Sequence, residues 1–264
     1  MSSSATSGIQ VLDRAMHILR LLGEAGDTGL RLIDIQKTTG LSRPTAHRIL
    51  SALGCHGFAA HEAETRRYHL GTELAILGWS ISERNADLRQ VCADSLSALA
   101  ADTGDTAFLM VRSGEDAVCA EIRHGAYPVR TMTADVGTRR PLGVGASGVS
   151  ILAALDAEEA ERLLISTRGR LAQYPHAKES AIRRALQFAR TKGYAVSSLV
   201  LPSVRGLAVP ILRDGEPVAS FCVASIRERI PSSRIPAIVR ILQRERAAVE
   251  SRLLKLGGRR LDKR

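Results

Sequence analysis

The chain has 264 residues, a formal net charge of +10, 45% apolar residues and only 3% aromatic ones. That length suits two domains, and the apolar content is ample for folded cores. No stretch reaches the ~20 apolar residues of a membrane span, and residues 1–10, MSSSATSGIQ, lack the basic and apolar run of a secretion signal. Cys55, Cys92, Cys119 and Cys222 stand far apart without CxxC pairing, which argues against a zinc site or a disulfide framework and for a reducing, cytoplasmic setting.

Residues 9–22 place Val11, Ala15, Ile18 and Leu22 on one stripe, which predicts an amphipathic helix. The segment LRLIDIQKTTGLSRPTAHRILSAL (30–53) then reads as two short helices around a tight turn. Leu32 and Ile35 share a face of the first helix, and Gly40 supplies a left-handed stop. Ser42 is a good N-cap, and Pro44 fits the first turn of the second helix. Ala46, Ile49, Leu50 and Leu53 form its buried stripe, leaving Arg43, Thr45, His47, Arg48 and Ser51 outward. A helix of this width fits a major groove, so duplex DNA is the first partner to consider. An ordinary helical hairpin with a solvated polar face is the plainer alternative.

Downstream, residues 58–60, a polar turn at 62–65 and RRYHL (66–70) predict a β-hairpin wing, with Arg66 and Arg67 placed to hold backbone phosphates. Three helices and a wing make a winged helix-turn-helix over residues 1–70. Thr45, His47 and Arg48 are the candidates for base contacts, supported at the helix start by Ser42. Gln36, Lys37, Arg43, Arg66 and Arg67 are the candidates for phosphates. Residues 71–87 carry Leu74, Leu77 and Ile81 at helical spacing, with Trp79 nearby; this linker helix packs either on its own chain or on a second copy.

From residue 88 the pattern changes. A helix through Leu88, Cys92, Leu96 and Leu99 precedes strand-like runs at 107–112, 117–122 and 129–133; residues 149–165 and 180–192 read as helices. Strands at 194–200, 206–212 and 218–224 and a long helix at 235–256 follow. This order predicts an α+β sensor-like domain over residues 88–256. Residues 257–264 would be a basic tail. Twelve basic residues face four acidic ones over 227–264, against eight and seven over 1–80, so the positive excess sits at the C-terminal end. A solvated arginine-rich helix is the plain reading of that excess, and an arm adding phosphate contacts the sharper one.

The glycines of GVGASG (143–148) satisfy GxGxxG, but Thr138-Arg139-Arg140-Pro141 before them is a poor central strand, so a dinucleotide site is not expected. His124 is the only histidine close in sequence to Cys119, which is weak support for a nucleophilic pair. Asp156, Glu158, Glu159 and Glu161 read as a solvated helix start. No catalytic residue, metal or cofactor is expected.

GLRLIDIQKTTGLSRPTAHRILSAL, RRYHLG, PVRTM (128–132), RRPLGVGASGVSILAAL (139–155) and RTKGYAVSSLVLPSVRGLAVPI (190–211) occur in an order and spacing that resemble the IclR family of bacterial transcription regulators. The resemblance implies a winged helix-turn-helix, a dimerising linker helix and a C-terminal effector-binding domain related to GAF and PAS sensors, in a homodimer or dimer of dimers that binds operator DNA without a membrane. It also implies an effector pocket at Leu142, Gly145, Ala146, Ser147 and Gly148, where the helix start offers free amides to a carboxylate without a basic side chain. On the matching strands the pocket would take Ser197, Gly206, Cys222 and Ala224. Here Ser197-Ser198 replace an acidic pair common in the family, Gly206 or Leu207 a cysteine, Cys222 and Ala224 a Ser-x-Ser pair, and Gly143 a histidine. These replacements make the pocket less polar and point to a small, largely apolar organic effector with at most one anionic end. The residues thus support three readings: an effector-responsive regulator, a ligand-blind DNA-binding regulator with a vestigial pocket, and an enzyme with an accessory DNA-binding domain.

Overall fold

The computed structural model describes residues 9–84 and 88–261, the side chains of 80–84 and 257–261 excepted. The chain divides into two compact units between residues 85 and 86. Residues 1–8 of the expected first domain and 85–87 of the expected linker lie outside the described residues.

The N-terminal unit runs α1 (Gln10–Ala25), a 3-10 turn (Gly26–Thr28), β1 (Leu30–Arg31), α2 (Leu32–Thr39), α3 (Arg43–Cys55), β2 (Ala59–Glu62), β3 (Arg67–Leu70) and α4 (Glu73–Arg84). The wing is an antiparallel hairpin of β2 and β3, with His61 opposite Tyr68 and Glu62 opposite Arg67. Strand β1 joins its other edge, Leu30 opposite Tyr68; two residues show no period, so the sequence gives no sign of it. Ile18 and Leu22 of α1, Ile35 of α2, Ile49 and Leu50 of α3 and Ala59 of β2 close one core, against which Leu41, Leu53 and Tyr68 pack. At the other end of α1 the expected stripe fails to bury. Val11 is 58% and Leu12 47% exposed, and on α4 Leu77 and Trp79 are 45% and 66% exposed.

The C-terminal unit is a six-stranded antiparallel sheet between two helix layers. It runs α5 (Leu88–Thr103), β4 (Thr106–Ser113), β5 (Asp116–Arg123), β6 (Arg139–Pro141), α6 (Gly145–Ala154), α7 (Ala157–Leu171), α8 (Glu179–Lys192), β7 (Ala195–Ser197), β8 (Val204–Arg213), β9 (Glu216–Ile226) and α9 (Ile235–Leu261). The strand order is β6-β5-β4-β9-β8-β7. Strand alternation sorts the side chains. Leu109, Val209 and Phe221 face α5 and α9, while Phe108, Ala208 and Cys222 face the layer of α6, α7 and α8.

Four expectations are corrected. Residues 129–133 form a loop, because the edge beside β5 is taken by β6, where Arg139 pairs with Val118 and Arg140 with Ala117. An edge position tolerates Pro141, which a central one would not. The expected helix 149–165 is two, parted at Leu155-Asp156; the Asp156 carboxylate accepts the Glu159 N–H at 2.8 Å and starts α7. The strand expected at 194–200 stops at Ser197. Helix α9 continues past residue 256 to Leu261, so 257–261 are helix rather than a tail, and 262–264 lie outside the described residues. Each glycine of the 257–258 pair weakens a helix by only about 1 kcal/mol, which does not forbid it.

Candidate nucleic-acid interface and ligand cavity

The turn between α2 and α3 is fixed on both sides. Gly40 takes φ 69° and donates its N–H to the Gln36 carbonyl at 2.8 Å, which closes α2. The chain then re-enters helix at Ser42, whose hydroxyl accepts the Thr45 N–H at 3.4 Å and lies 2.9 Å from Thr45 Oγ1. With Ala46, Ile49 and Leu50 buried, Arg43, His47, Arg48 and Ser51 are left exposed along one side of α3. Thr45 is half-buried, and both its hydroxyl and that of Ser42 take part in the cap. On α2, Lys37 is exposed and Gln36 half-buried. Arg66, at φ 56°, is exposed at the tip of the wing.

Arg67 has a structural role that its spacing did not announce. Its Nη1 donates to the carbonyls of Thr28 and Gly29 at 3.0 Å each, tying β3 to the turn before β1. One nitrogen of the guanidinium is thereby engaged within the protein, and its remaining N–H donors are those a phosphate could meet. Arg67→Ala should cost the N-terminal unit about 1.5–3 kcal/mol, the scale of hydrogen bonds that involve a charged group. Denaturant unfolding followed by Trp79 fluorescence measures it; an unchanged midpoint with uniformly weakened duplex binding would make phosphate contact the main role of Arg67.

A cavity of about 50 Å³ lies between the sheet and α6. Its helix side is Gly145, Ala146 and Ser147, in the first turn of α6, where Val144 provides no side-chain cap. Ser197, Gly206, Cys222 and Ala224 line its sheet side. Leu142 and Gly148 do not line it. Leu142 is packed in the core, and a Cβ on Gly148 would stand 3.0 Å from the Gly143 nitrogen, so this glycine serves helix packing. Gly143, at φ 95°, lies so near Ile182 that a Cβ would meet Cγ2 at 2.9 Å. These glycines therefore serve close packing, and the strand before them is an antiparallel edge rather than the buried parallel strand a dinucleotide site needs.

The sequence reading missed the basic side chain in this cavity. Arg140 lines it, half-buried, and donates an Nη2 hydrogen to the Thr133 carbonyl. Its neighbour Arg139 is paired with Asp116 at 3.0 Å. The alternation of β6 was the available signal, since adjacent strand residues point to opposite faces. Burial lowers the Arg140 pKa from its ordinary value, partly offset by Tyr174, Cys119 and Cys222. Burial also pushes the thiols of Cys119 and Cys222 up to about 11 and about 12. Both are protonated thiols near neutrality, unsuited to nucleophilic attack, and His124 Nδ1 lies 3.5 Å from Thr106 Oγ1. Among the described residues no helix is long and apolar enough to cross a membrane.

Residues 11–63 match the model of the IclR helix-turn-helix domain, and residues 82–250 that of the bacterial transcriptional regulator IclR C-terminal domain. The chain is 31% identical over 253 residues to the glycerol operon regulatory protein of Streptomyces griseus, covering 94% of this chain and 98% of that protein. It is 29% identical over 230 residues to the HTH-type transcriptional regulator XynR of Escherichia coli, covering 86% and 90%. Among solved structures, a transcriptional regulator from Alicyclobacillus acidocaldarius superposes with TM-score 0.72 at 26% identity, covering 93% of this chain and 99% of that one. An IclR homologue from Microbacterium hydrocarbonoxydans, crystallised with 4-hydroxybenzoate, superposes with TM-score 0.69 at 23% identity, covering 93% and 99%.

Proposed function

The chain belongs to the IclR family of bacterial transcription regulators, and from that premise we propose how its parts divide the work. It is a DNA-binding regulator of the helix-turn-helix type. Helix α3 enters the major groove, with Arg48, His47 and Thr45 reaching base edges and Ser42 fixing the helix start. Arg43, Lys37, Gln36 and Arg66 contact phosphates, which sets register. The observation that carries this reading is the exposed row Arg43, His47, Arg48 and Ser51 opposite the buried Ala46, Ile49 and Leu50.

Residues 71–87 act as linker, and two copies pair through the apolar side chains that α1 and α4 leave exposed in the single chain, among them Val11, Leu12, Leu77 and Trp79. Pairing would give two reading heads for a two-fold operator. Residues 88–256 form the effector-binding part, at work in the cytoplasm. A small organic effector in the cavity shifts the setting of the heads by its difference in affinity for the two settings. The ligand-blind alternative draws support from the same cavity: 50 Å³ is well below the roughly 150 Å³ void that admits benzene.

Arg48→Ala should weaken specific operator binding by about 1–3 kcal/mol, roughly 5- to 150-fold, and relax discrimination at one base position. Footprinting finds the operator upstream of the protein's own and adjacent genes, and titration against operator and scrambled duplex reads the effect. Equal losses on both duplexes would remove Arg48 from the base-reading set, and no preference for any genomic fragment in moderate salt would sink the regulator mechanism proposed here.

A further inference from the structure

We infer that Arg140 is the anion receptor of the cavity, and that it takes a small monocarboxylate by releasing the Thr133 carbonyl. The inference rests on the effector-responsive reading above. Arg140 is half-buried at the cavity wall, and no carboxylate lies within ion-pair distance of it among the described residues. Its hydrogen bond is to a neutral acceptor, the Thr133 carbonyl. A guanidinium carries five N–H donors in a planar fork that fits a carboxylate with two parallel bonds. A half-buried cation that shares the cavity wall with Phe108, Met110, Val200 and Val204 and lacks a counter-ion among the described residues is stabilised by an entering anion. The uncapped start of α6 adds potential of the same sign.

Size and charge narrow the ligand. About 50 Å³ exceeds the roughly 10–15 Å³ needed by one water and is near a third of the roughly 150 Å³ that holds benzene. That space suits a short aliphatic acid better than an aromatic one. Arg140 is the one Lys or Arg lining the cavity among the described residues, so a dicarboxylate would leave one charge buried and unpaired.

The release has a consequence in the loop between β5 and β6. Arg140 grips that loop at Thr133. Two residues earlier the Thr131 hydroxyl is buried without a hydrogen-bond partner among the described residues. Met132 is 76% and Val136 61% exposed. Such a segment is poorly satisfied where it lies, so loss of the Arg140 bond lets it move. Effector binding thus exchanges one partner of Arg140 for another, and the loop is the element that responds.

Calorimetric titration of the full chain with acetate, propionate and butyrate tests the receptor, with propionamide as a neutral mimic of propionate and benzoate as an oversized acid. Hydrogen exchange of residues 124–138 tests the release. At least one of the three aliphatic acids should bind, propionamide and benzoate should bind at least tenfold more weakly, and exchange at 131–134 should rise at saturation. Arg140→Met should lose at least tenfold in affinity for the acid. Arg140→Lys, which keeps the charge without the fork, should fall between, and carries the test if the methionine variant does not fold. Equal binding of acid and amide, affinity within threefold in both variants, or unchanged exchange overturns the inference. If no acid binds, the inference fails, while footprinting by the unliganded chain independently decides the regulator reading.

Discussion

Replacing Asp105 by alanine should destabilise the C-terminal unit by about 3 kcal/mol, at the lower end of the ~3–5 kcal/mol seen when a buried ion pair loses one member. The Asp105 side chain is completely buried at the start of β4. One carboxylate oxygen accepts from Arg229 Nε at 2.7 Å and the other from Arg234 Nη1 at 2.6 Å. Arg234 also donates to the carbonyls of Thr103 and Arg229, and Arg229 lies 3.9 Å over the Tyr127 ring. One carboxylate thus joins the end of α5, the loop after β5 and the turn leading into α9. Removing it leaves two guanidinium groups facing each other. Because Arg229 and Arg234 are 29% and 27% exposed, water recovers part of the loss, hence the lower end of the range. Denaturant unfolding of the full chain measures the change, and a loss below about 1 kcal/mol would mean that the arginines rehydrate at no cost. Arg229→Ala should cost less, since Arg234 still neutralises the carboxylate.

The same junction marks the limit of what residue types reveal. Nothing in sequence links Asp105 to Arg234, because the pairing depends on how the turn before α9 folds back on β4. The helix-turn-helix was legible because its signals are local. Gly40, Ser42 and Pro44 act within a turn of where they stand, and Ile35, Ile49 and Leu50 announce their face by spacing. The sheet strands carried hairpin turns at residues 113–116 and 213–216, again local signals. Residues 129–133 failed because β propensity says that a segment can pair, while β6 had already taken the free edge. In the cavity, Gly145, Ala146, Ser147, Ser197, Gly206, Cys222 and Ala224 stand where the family pattern put them, while Gly148 and Leu142 do not. Arg140 did not follow from that pattern, since two adjacent arginines look alike until the strand sends one to Asp116 and the other inward. Arg67 was obscured in the same way, its carbonyl partners lying 38 and 39 positions away.

Gly71→Ala should disable the N-terminal unit while leaving the C-terminal unit intact. An added Cβ would stand 2.0 Å from the Gly57 carbonyl oxygen and 2.8 Å from the Phe58 carbonyl carbon, far inside contact distance and against backbone that cannot rotate away. Gly71 is closed on the turn before β2 by its N–H to Phe58 O at 2.8 Å, and Glu73 N–H holds the same Gly57 carbonyl at 3.1 Å. Relief would therefore pull apart the end of the wing and the start of α4 together. Overpacking a core typically costs about 1–3 kcal/mol; with backbone on both sides the top of that range, about 3 kcal/mol, is expected here. This is a requirement for space rather than for a left-handed backbone, since Gly71 is absent from the positive-φ glycines. Operator binding should fall sharply although Gly71 itself offers no side chain to DNA, and Trp79 on α4 should report an earlier unfolding transition than in the parent chain. Hydrogen exchange in β4, β8 and β9 should be unchanged. A variant with parental Trp79 unfolding and parental operator affinity would show that the wing can open by the ångström or more needed, and that the glycine is not what holds wing and linker in register.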